Sequence, residues 1–387
     1  MDDSNPDLLP EGLEDRLPHE AASGQRVMRA MLGAMDGHGY DRVSPPLIEF
    51  ERSLAGRMSG IQTRRMFRFV DPSSLRTLAL RSDITPQVSR IAETRLAGAP
   101  RPLRLCYAGP VVTIRGDGLD PARERLQVGA ELIGRDTVAA AAEVAGLAIE
   151  ALAAAGAQGI SIDFTLPDLV DTLAGASADG PMPLPPGGIS AVRRQLDAKD
   201  AGALVAAGGE AYLPLLYATG PFEQAIAKLN AIDAGGALAS RIAGLRQIAA
   251  SLWGAARITL DPSERHGFEY QSWFGFTLFA QGVRGALGRG GTYRIGREDG
   301  EGEVATGFSL YPDGLSGVVA DEAARDTLFL PLGHDRKAAE RLRAIGWRTV
   351  AALDAGDDAA VLGCTHRLEE DDAVRIDTSA SDHPVSA

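Results

Sequence analysis

Cysteine is almost missing from this chain: Cys106 and Cys364 are the only two. Two thiols cannot build a disulfide framework, their spacing suits no metal, and neither has an adjacent catalytic partner, so both read as structural. Long apolar runs are missing as well, and nothing approaches the roughly 20 consecutive apolar residues of a membrane-spanning helix. Basic charge is in short supply, with 39 Lys and Arg against 52 Asp and Glu and a net charge of −13. The acidic residues are spread along the chain, so the bulk field repels polyanions, and a nucleic-acid role would need a local basic patch. The opening Met1-Asp2-Asp3-Ser4-Asn5-Pro6 lacks the basic-then-apolar order of a secretory signal, which makes the cytoplasm the expected compartment. His19, His38, His266, His334, His366 and His383 never fall at paired metal-ligand spacing. No Gly-x-Ser-x-Gly elbow or Cys/His pairing is visible, so neither a metal nor a nucleophilic site is expected.

What remains is ordinary globular material. The 387 residues are 45% hydrophobic and 24% charged, enough for two or three domains with real cores. Apolar positions at Leu17, Ala21, Val27, Met28, Met31, Leu32 and Met35 predict an amphipathic helix within residues 13–39, stopped by Gly37-His38-Gly39. A strand pattern at 40–50 is broken by Pro45-Pro46, which restricts it to an edge or a bulge. Alternation predicts strands at 66–70, 77–80, 103–113 and 126–133, with helices at 85–97 and 136–156 and a short strand at 160–164. Residues 166–251 lose all strand signal and read as an inserted helical module, after which strands resume at 256–260, 268–281 and 304–310. The last segment reads strand, helix, strand at 327–332, 336–345 and 349–353, followed by an acidic tail from Ile376 to Ala387 predicted to be disordered. The expected architecture is α+β: an antiparallel sheet flanked by helices over 1–165 and 252–322, the insertion 166–251, and a small α/β domain at 323–387.

Four stretches could carry chemistry. In Leu126-Gln127-Val128-Gly129-Ala130-Glu131-Leu132 the alternation puts Leu126, Val128, Ala130 and Leu132 on one face. Gln127 and Glu131 fall on the other with Gly129 between them, a gap that could hold a small ligand with an ammonium group; a solvated sheet face is the alternative. Asp83 and Thr85 stand at a strand-to-helix junction, where capping is the simpler role. Glu264-Arg265-His266-Gly267-Phe268-Glu269-Tyr270-Gln271 crowds titratable and aromatic groups around a glycine, or else forms a polar strand entrance. Gly288-Arg289-Gly290-Gly291-Thr292-Tyr293 hints at a phosphate cradle but lacks the Walker ending and the Rossmann spacing, so it reads as a turn.

Together these stretches resemble class II aminoacyl-tRNA synthetases, and among them histidyl-tRNA synthetase. The resemblance rests on Leu9-Pro10-Glu11-Gly12, the 40–49 stretch with Pro45-Pro46 over the dimer-forming first motif, Arg104-Leu105-Cys106-Tyr107-Ala108-Gly109-Pro110, Gln127 to Gly134, Leu196-Asp197-Ala198-Lys199, Gly267 to Tyr270 and Gly307-Phe308. The departures fall on the ATP-handling positions. The arginine and glutamate of the second motif align with Thr113 and Arg115, the arginine that would stabilise the reacting carboxylate aligns with His266, and the arginine of the third motif aligns with Gly314. One preorganised donor lost from a transition-state site typically costs about 10²- to 10³-fold in rate, so three missing cations imply no adenylation.

The positions that grip the amino acid in the family are kept or conservatively changed. The resemblance implies a histidine pocket of Asp83, Thr85, Gln127, Glu131, Tyr270 and Gln271, in which Asp83 and Glu131 pair the ammonium or imidazole, Thr85 and Gln127 hydrogen-bond, and Tyr270 walls the ring. A stripped ATP site beside a retained amino-acid site resembles the family of ATP phosphoribosyltransferase regulatory subunits, which are histidyl-tRNA synthetase paralogues. That resemblance implies a non-catalytic chain with no cofactor, a short-form ATP phosphoribosyltransferase catalytic subunit as partner, L-histidine as feedback ligand, and a homodimer within a hetero-octamer. The alternatives are an active histidyl ligase and a relic that binds tRNA by shape. Arg336, Lys337, Arg341 and Arg343 share one short helix and read as a solvated face instead of an RNA contact.

Overall fold

The computed structural model describes residues 8–55, 65–116, 121–175, 182–183, 187–233, 235–265, 271–296, 302–315 and 326–376. The chain divides into two compact units, Met1–Val319 and Ala320–Ala387.

The first unit is built on a nine-stranded sheet. In chain order its strands are β1 (Asp41–Arg42), β5 (Leu103–Val112), β6 (Glu124–Ile133), β7 (Ser161–Thr165), β8 (Gly220–Pro221), β9 (Arg257–Leu260), β10 (Gln271–Phe279), β11 (Gly288–Ile295) and β12 (Glu303–Leu310). The skipped numbers belong to a three-stranded sheet of β2 (Ile48–Phe50), β3 (Arg68–Val70) and β4 (Thr77–Leu80). The large sheet runs β1-β5-β6-β12-β11-β10-β7-β9-β8. Every pairing in it is antiparallel except β1 with β5 and β7 with β9.

The two prolines explain why residues 40–50 serve two sheets. Neither Pro45 nor Pro46 can donate to a ladder, so the strand stops between β1 and β2. Their carbonyls are satisfied by side chains instead: Arg81 Nη1 donates to Pro45 at 2.9 Å and Gln87 Nε2 to Pro46 at 2.7 Å. Arg81 is buried and also donates to the Pro110 carbonyl at 2.8 Å, which pins this turn to the β5–β6 hairpin.

Helix α1 (Pro18–Gly37) buries Val27, Met31 and Met35, each four residues after the last, on the same sheet face as Val128, Ala130 and Leu132. Helix α4 (Val138–Ala154) joins that core through its alanines, whose small side chains let helix and sheet approach closely, and the Thr137 hydroxyl caps it by accepting from Ala140 N at 3.2 Å. Between them lie α2 (Glu51–Ala55) and α3 (Thr85–Thr94). Residues 166–251 supply α5 (Leu169–Gly175), α6 (Gly188–Asp197), α7 (Ala201–Ala206), α8 (Leu213–Leu216), α9 (Phe222–Ile232) and α10 (Ala239–Ser251). Their apolar residues, among them Val192, Leu204, Phe222 and Ile226, share one core with Phe164 and Phe274 of the sheet.

Two expectations about strands are corrected here. The helical segment is not free of strand, because Gly220–Pro221 pairs with β9; a proline is tolerated there since β8 is the sheet edge. The glycine-rich stretch at 288–293 is no turn but most of β11, an interior strand paired on both sides. Its glycines answer to neighbouring strands: a Cβ on Gly290 would overlap the Phe276 ring and the Gly307 carbonyl, and one on Gly288 would overlap the Ser309 carbonyl. The turn lies just before it, where Gly282 and Gly285 adopt φ of 79° and 78°.

The second unit has a four-stranded sheet ordered β14-β13-β15-β16, from β13 (Thr327–Leu330), β14 (Arg348–Ala351), β15 (His366–Glu369) and β16 (Asp372–Arg375), with α11 (Arg336–Ala344) packed by Ala339 and Leu342. The β15–β16 hairpin was not anticipated from the sequence. Asp335 caps α11 by accepting from Lys337 N at 2.9 Å. Arg336, Lys337, Arg341 and Arg343 are all exposed, Arg341 paired with Asp371 at 2.8 Å. The tail expected to be disordered lies, beyond Ile376, outside the described residues.

Candidate functional site

The register of four strands builds the site. Gly275 of β10 faces Gly291 of β11, Gly291 faces Gly307 of β12, and Gly307 faces Glu131 of β6. Three glycines in one row leave a trough across the sheet, on the face opposite α1 and α4. Two side chains lie in it. A Cβ on Gly307 would fall on the Glu131 carboxylate, and a Cβ on Gly291 or Gly275 would fall on the Gln271 amide oxygen. Glu131 and Gln271 therefore reach over the glycine floor from opposite ends, a placement that only glycine at these positions allows.

Glu131 is 1% exposed and held by two phenols, with the Tyr293 hydroxyl donating to Oε2 at 2.6 Å and the Tyr107 hydroxyl to Oε1 at 3.2 Å. Burial dominates its ionisation and lifts the carboxyl from 4.5 to about 8, against the lowering effect of the Tyr293 hydrogen bond. The Tyr107 hydroxyl also lies 3.0 Å from Thr85 Oγ1 and 3.1 Å from Ser309 Oγ, and burial raises its own pKa well above the usual phenol range.

Gln127, fully buried, is saturated by the protein: its Oε1 accepts from Ile84 N at 2.9 Å, and its Nε2 donates to Asp83 Oδ1 at 2.8 Å and Ser309 Oγ at 2.7 Å. One of those bonds holds the Asp83 carboxylate in place. Asp83 is half-buried and accepts from Thr85 N at 2.9 Å, a local turn that starts α3, so the capping role falls to Asp83 while the Thr85 hydroxyl joins the buried network. Gln271 is 8% exposed, and its buried Oε1 lies over the glycine floor with no hydrogen-bond partner. Tyr270 and His266 lie outside the described residues.

The structure thus brings Thr85, Gln127, Glu131 and Asp83 into one network and sets Gln271 on the same floor. It excludes the solvated-face alternative for β6. The gap expected over Gly129 is filled, since a Cβ there would meet the Tyr107 hydroxyl and the Phe308 carbonyl. Sequence reasoning missed Tyr107, Tyr293 and Ser309 as network members, and it missed the trough. The available signal was three glycines at alternate-face positions in three separate strands, legible only once the register is known.

The other end of the β5–β6 hairpin differs. Thr113 donates its hydroxyl to the Arg115 carbonyl at 2.8 Å, and Arg115 is exposed. Asp313, beside Gly314, accepts from Leu126 N and pairs with Arg16. Arg125 lies over the Tyr311 ring at 4.4 Å. Glu11 and Gly12 reach the same hairpin, their carbonyls accepting from Arg123 Nη1 at 3.1 Å and Arg123 N at 2.8 Å. Among the described residues at this end, Thr113, Asp313 and Arg123 all bond to other groups of the chain. Among the described residues no group of His, Cys, Asp and Glu is arranged to hold a metal ion, and no helix is long and apolar enough to cross a membrane.

A family model described as Histidyl-tRNA synthetase matches residues 12–315. The fold agrees: a histidyl-tRNA synthetase from a Nostoc species superposes with a TM-score of 0.75 at 14% identity, covering 93% of this chain and 90% of that one. A Bacillus halodurans protein titled ATP phosphoribosyltransferase regulatory subunit/histidyl-tRNA synthetase superposes with a TM-score of 0.78 at 22% identity, covering 94% and 97%. Fold and site define a histidyl-tRNA synthetase-like chain of class II. Curated relatives narrow the class. The ATP phosphoribosyltransferase regulatory subunit of Rhodospirillum centenum is 42% identical, with 93% of this chain and 94% of that one covered, and that of Paramagnetospirillum magneticum is 41% identical over 97% and 99%. The chain belongs to the ATP phosphoribosyltransferase regulatory subunit family.

Proposed function

We propose that this chain assembles with a catalytic ATP phosphoribosyltransferase subunit in the cytoplasm and makes that enzyme responsive to L-histidine bound in the glycine trough. The regulatory part is not an enzyme, in keeping with the names its relatives carry. The observation that carries the histidine reading is the contrast along one hairpin: a buried carboxyl, an unpaired amide oxygen and a half-buried carboxylate at the Glu131 end, against self-bonded groups at the Thr113 end.

The chemistry follows from the donors histidine offers. Its α-ammonium suits Asp83, which Gln127 and Thr85 N hold in place, and its ring N–H suits the unpaired Gln271 amide, once that side chain turns toward it, or the Glu131 carboxyl. Glu131, its pKa lifted by burial to about 8, keeps its proton at neutral pH and gives it up when a cationic or N–H donor arrives, so binding releases a proton. Histidine regulates the complex only by favouring one assembly state over another, which requires the trough to be coupled to the partner contact. Dimers formed through the Pro45-Pro46 region, combined into a hetero-octamer, would supply that coupling.

The test is reconstitution with the catalytic subunit. L-histidine is expected to inhibit the wild-type complex and not one carrying Glu131→Ala, with assembly unchanged in both. Unchanged inhibition in that variant contradicts the site. Histidine-dependent exchange of pyrophosphate into ATP by the chain alone would establish a ligase, and salt-sensitive tRNA binding would establish a tRNA relic; neither is expected.

A further inference from the structure

The glycine-rich stretch at 288–293 contains one charged residue, Arg289. It is half-buried on β11, the middle strand of the nine, and alternation puts it on the trough face with Gly291 and Tyr293. Across the ladder it is opposite Ser309 of β12 and Thr277 of β10. Ser309 Oγ accepts from Gln127 Nε2 at 2.7 Å, and the same nitrogen donates to Asp83 at 2.8 Å. Arg289 therefore stands two strands, about 10 Å at the backbone, from the residue that holds Asp83.

An α-amino acid brings a carboxylate as well as its donors, and burying that carboxylate without a charged partner is costly. Among the described trough residues Asp83, Thr85, Gln127, Glu131 and Gln271, none is a cation, and the position aligned with the synthetase arginine is His266. Two other arginines near this hairpin are placed for other work: Arg81 donates to the Pro45 and Pro110 carbonyls, and Arg125 lies over the Tyr311 ring. Arg289 borders the floor itself. The Gln271 amide lies over Gly291, two residues along the same face, and the Ser309 hydroxyl belongs to the residue opposite. The carboxylate in its own row, Asp163 of β7, lies on the side away from Asp83; it accepts from Thr259 Oγ1 at 2.6 Å and has Lys199 as the cation acting on it.

We propose that Arg289 anchors the ligand's carboxylate, so that the trough takes a whole α-amino acid and rejects an amine that lacks the carboxylate. The inference rests on the histidine reading of the trough. The ammonium stays with Asp83, the carboxylate reaches across Ser309 to the Arg289 fork, which can donate two parallel bonds at about 2.7–2.9 Å, and the ring is left for Glu131 and Gln271. Ammonium and carboxylate share one carbon, so both anchors must serve the same end of the ligand, and an arginine side chain rising from β11 is long enough to do so.

The experiment titrates L-histidine, L-histidinamide, whose carboxylate is replaced by a neutral amide, and histamine, which has none, into the full chain by calorimetry. The wild type is expected to bind L-histidine about 10-fold or more tightly than either analogue. Arg289→Met should weaken L-histidine by about 10- to 100-fold, the usual effect of removing one charged hydrogen-bond partner, and leave both analogues unchanged, so that the preference disappears. Arg289→Lys keeps the charge without the fork and should retain part of the preference. Equal affinity of the wild type for L-histidine and histamine overturns the proposal without any variant. So does an Arg289→Met chain that keeps its L-histidine affinity, or one that loses all three ligands alike. Failure of the trough reading looks different: the wild type then binds no L-histidine, or binds it as well when it carries Glu131→Ala, and both readings fall together.

Discussion

The Glu131 end and the Thr113 end of the front face rest on the same two strands, β5 and β6, and have opposite fates. At the first, buried polar groups are held by one another over a glycine floor, and one acceptor, Gln271 Oε1, is still unmet. At the second, Asp313 is taken by Arg16 and Leu126 N, and Thr113 bonds to its own loop. Two ends of one hairpin in a synthetase-like scaffold thus carry different kinds of polar contact, a buried network at one and a self-bonded loop at the other. The groups at the second end are partly or fully exposed, so changes there cost little, whereas the first is a buried network in which each removal orphans its neighbours.

Breaking the first end should have the largest effect. Glu131→Ala removes the acceptor that both phenols share and should weaken L-histidine binding by about 100-fold or more, measured by calorimetry. Gly307→Ala places a methyl where the Glu131 carboxyl lies; displacing that group should cost about 1–3 kcal/mol in denaturant unfolding and abolish histidine binding as well. The same network makes stability depend on pH. The folded Glu131 pKa, about 8, stands above its unfolded value of 4.5, so the protonated carboxyl contributes stability in acid that is lost as pH rises through that window. The stability of the wild type relative to Glu131→Gln should therefore fall between about pH 4.5 and about 8 and level off above, measured by unfolding at a series of pH values. At the second end, Arg16→Ala breaks a half-exposed ion pair and should change stability by less than about 1 kcal/mol and histidine affinity not at all. A large loss of histidine affinity in Arg16→Ala would erase the distinction between the two ends.

Much of this architecture is readable from local pattern. The alternation along residues 126–133 separates Gln127 and Glu131 from the apolar face that packs on α1 and α4, because period two is a property of the strand itself. Pro45-Pro46 announces a break for an equally local reason. What stayed hidden depends on register. Glycines at 288, 290 and 291 look like a turn, since glycine is the usual turn residue, but they are small because Phe276, Ser309, Leu310 and Gln271 from other strands occupy the space. Tyr107 and Tyr293 look like core aromatics, and only the pairing of β5, β6, β12 and β11 carries their hydroxyls to one carboxylate.

The most direct test of the account is calorimetric titration of the purified chain, once with L-histidine and once with ATP, in buffers of different ionisation enthalpy. The account predicts saturable histidine binding accompanied by proton release at neutral pH, and no heat from ATP. Binding of ATP, or histidine binding that is unchanged in Glu131→Ala, would contradict it.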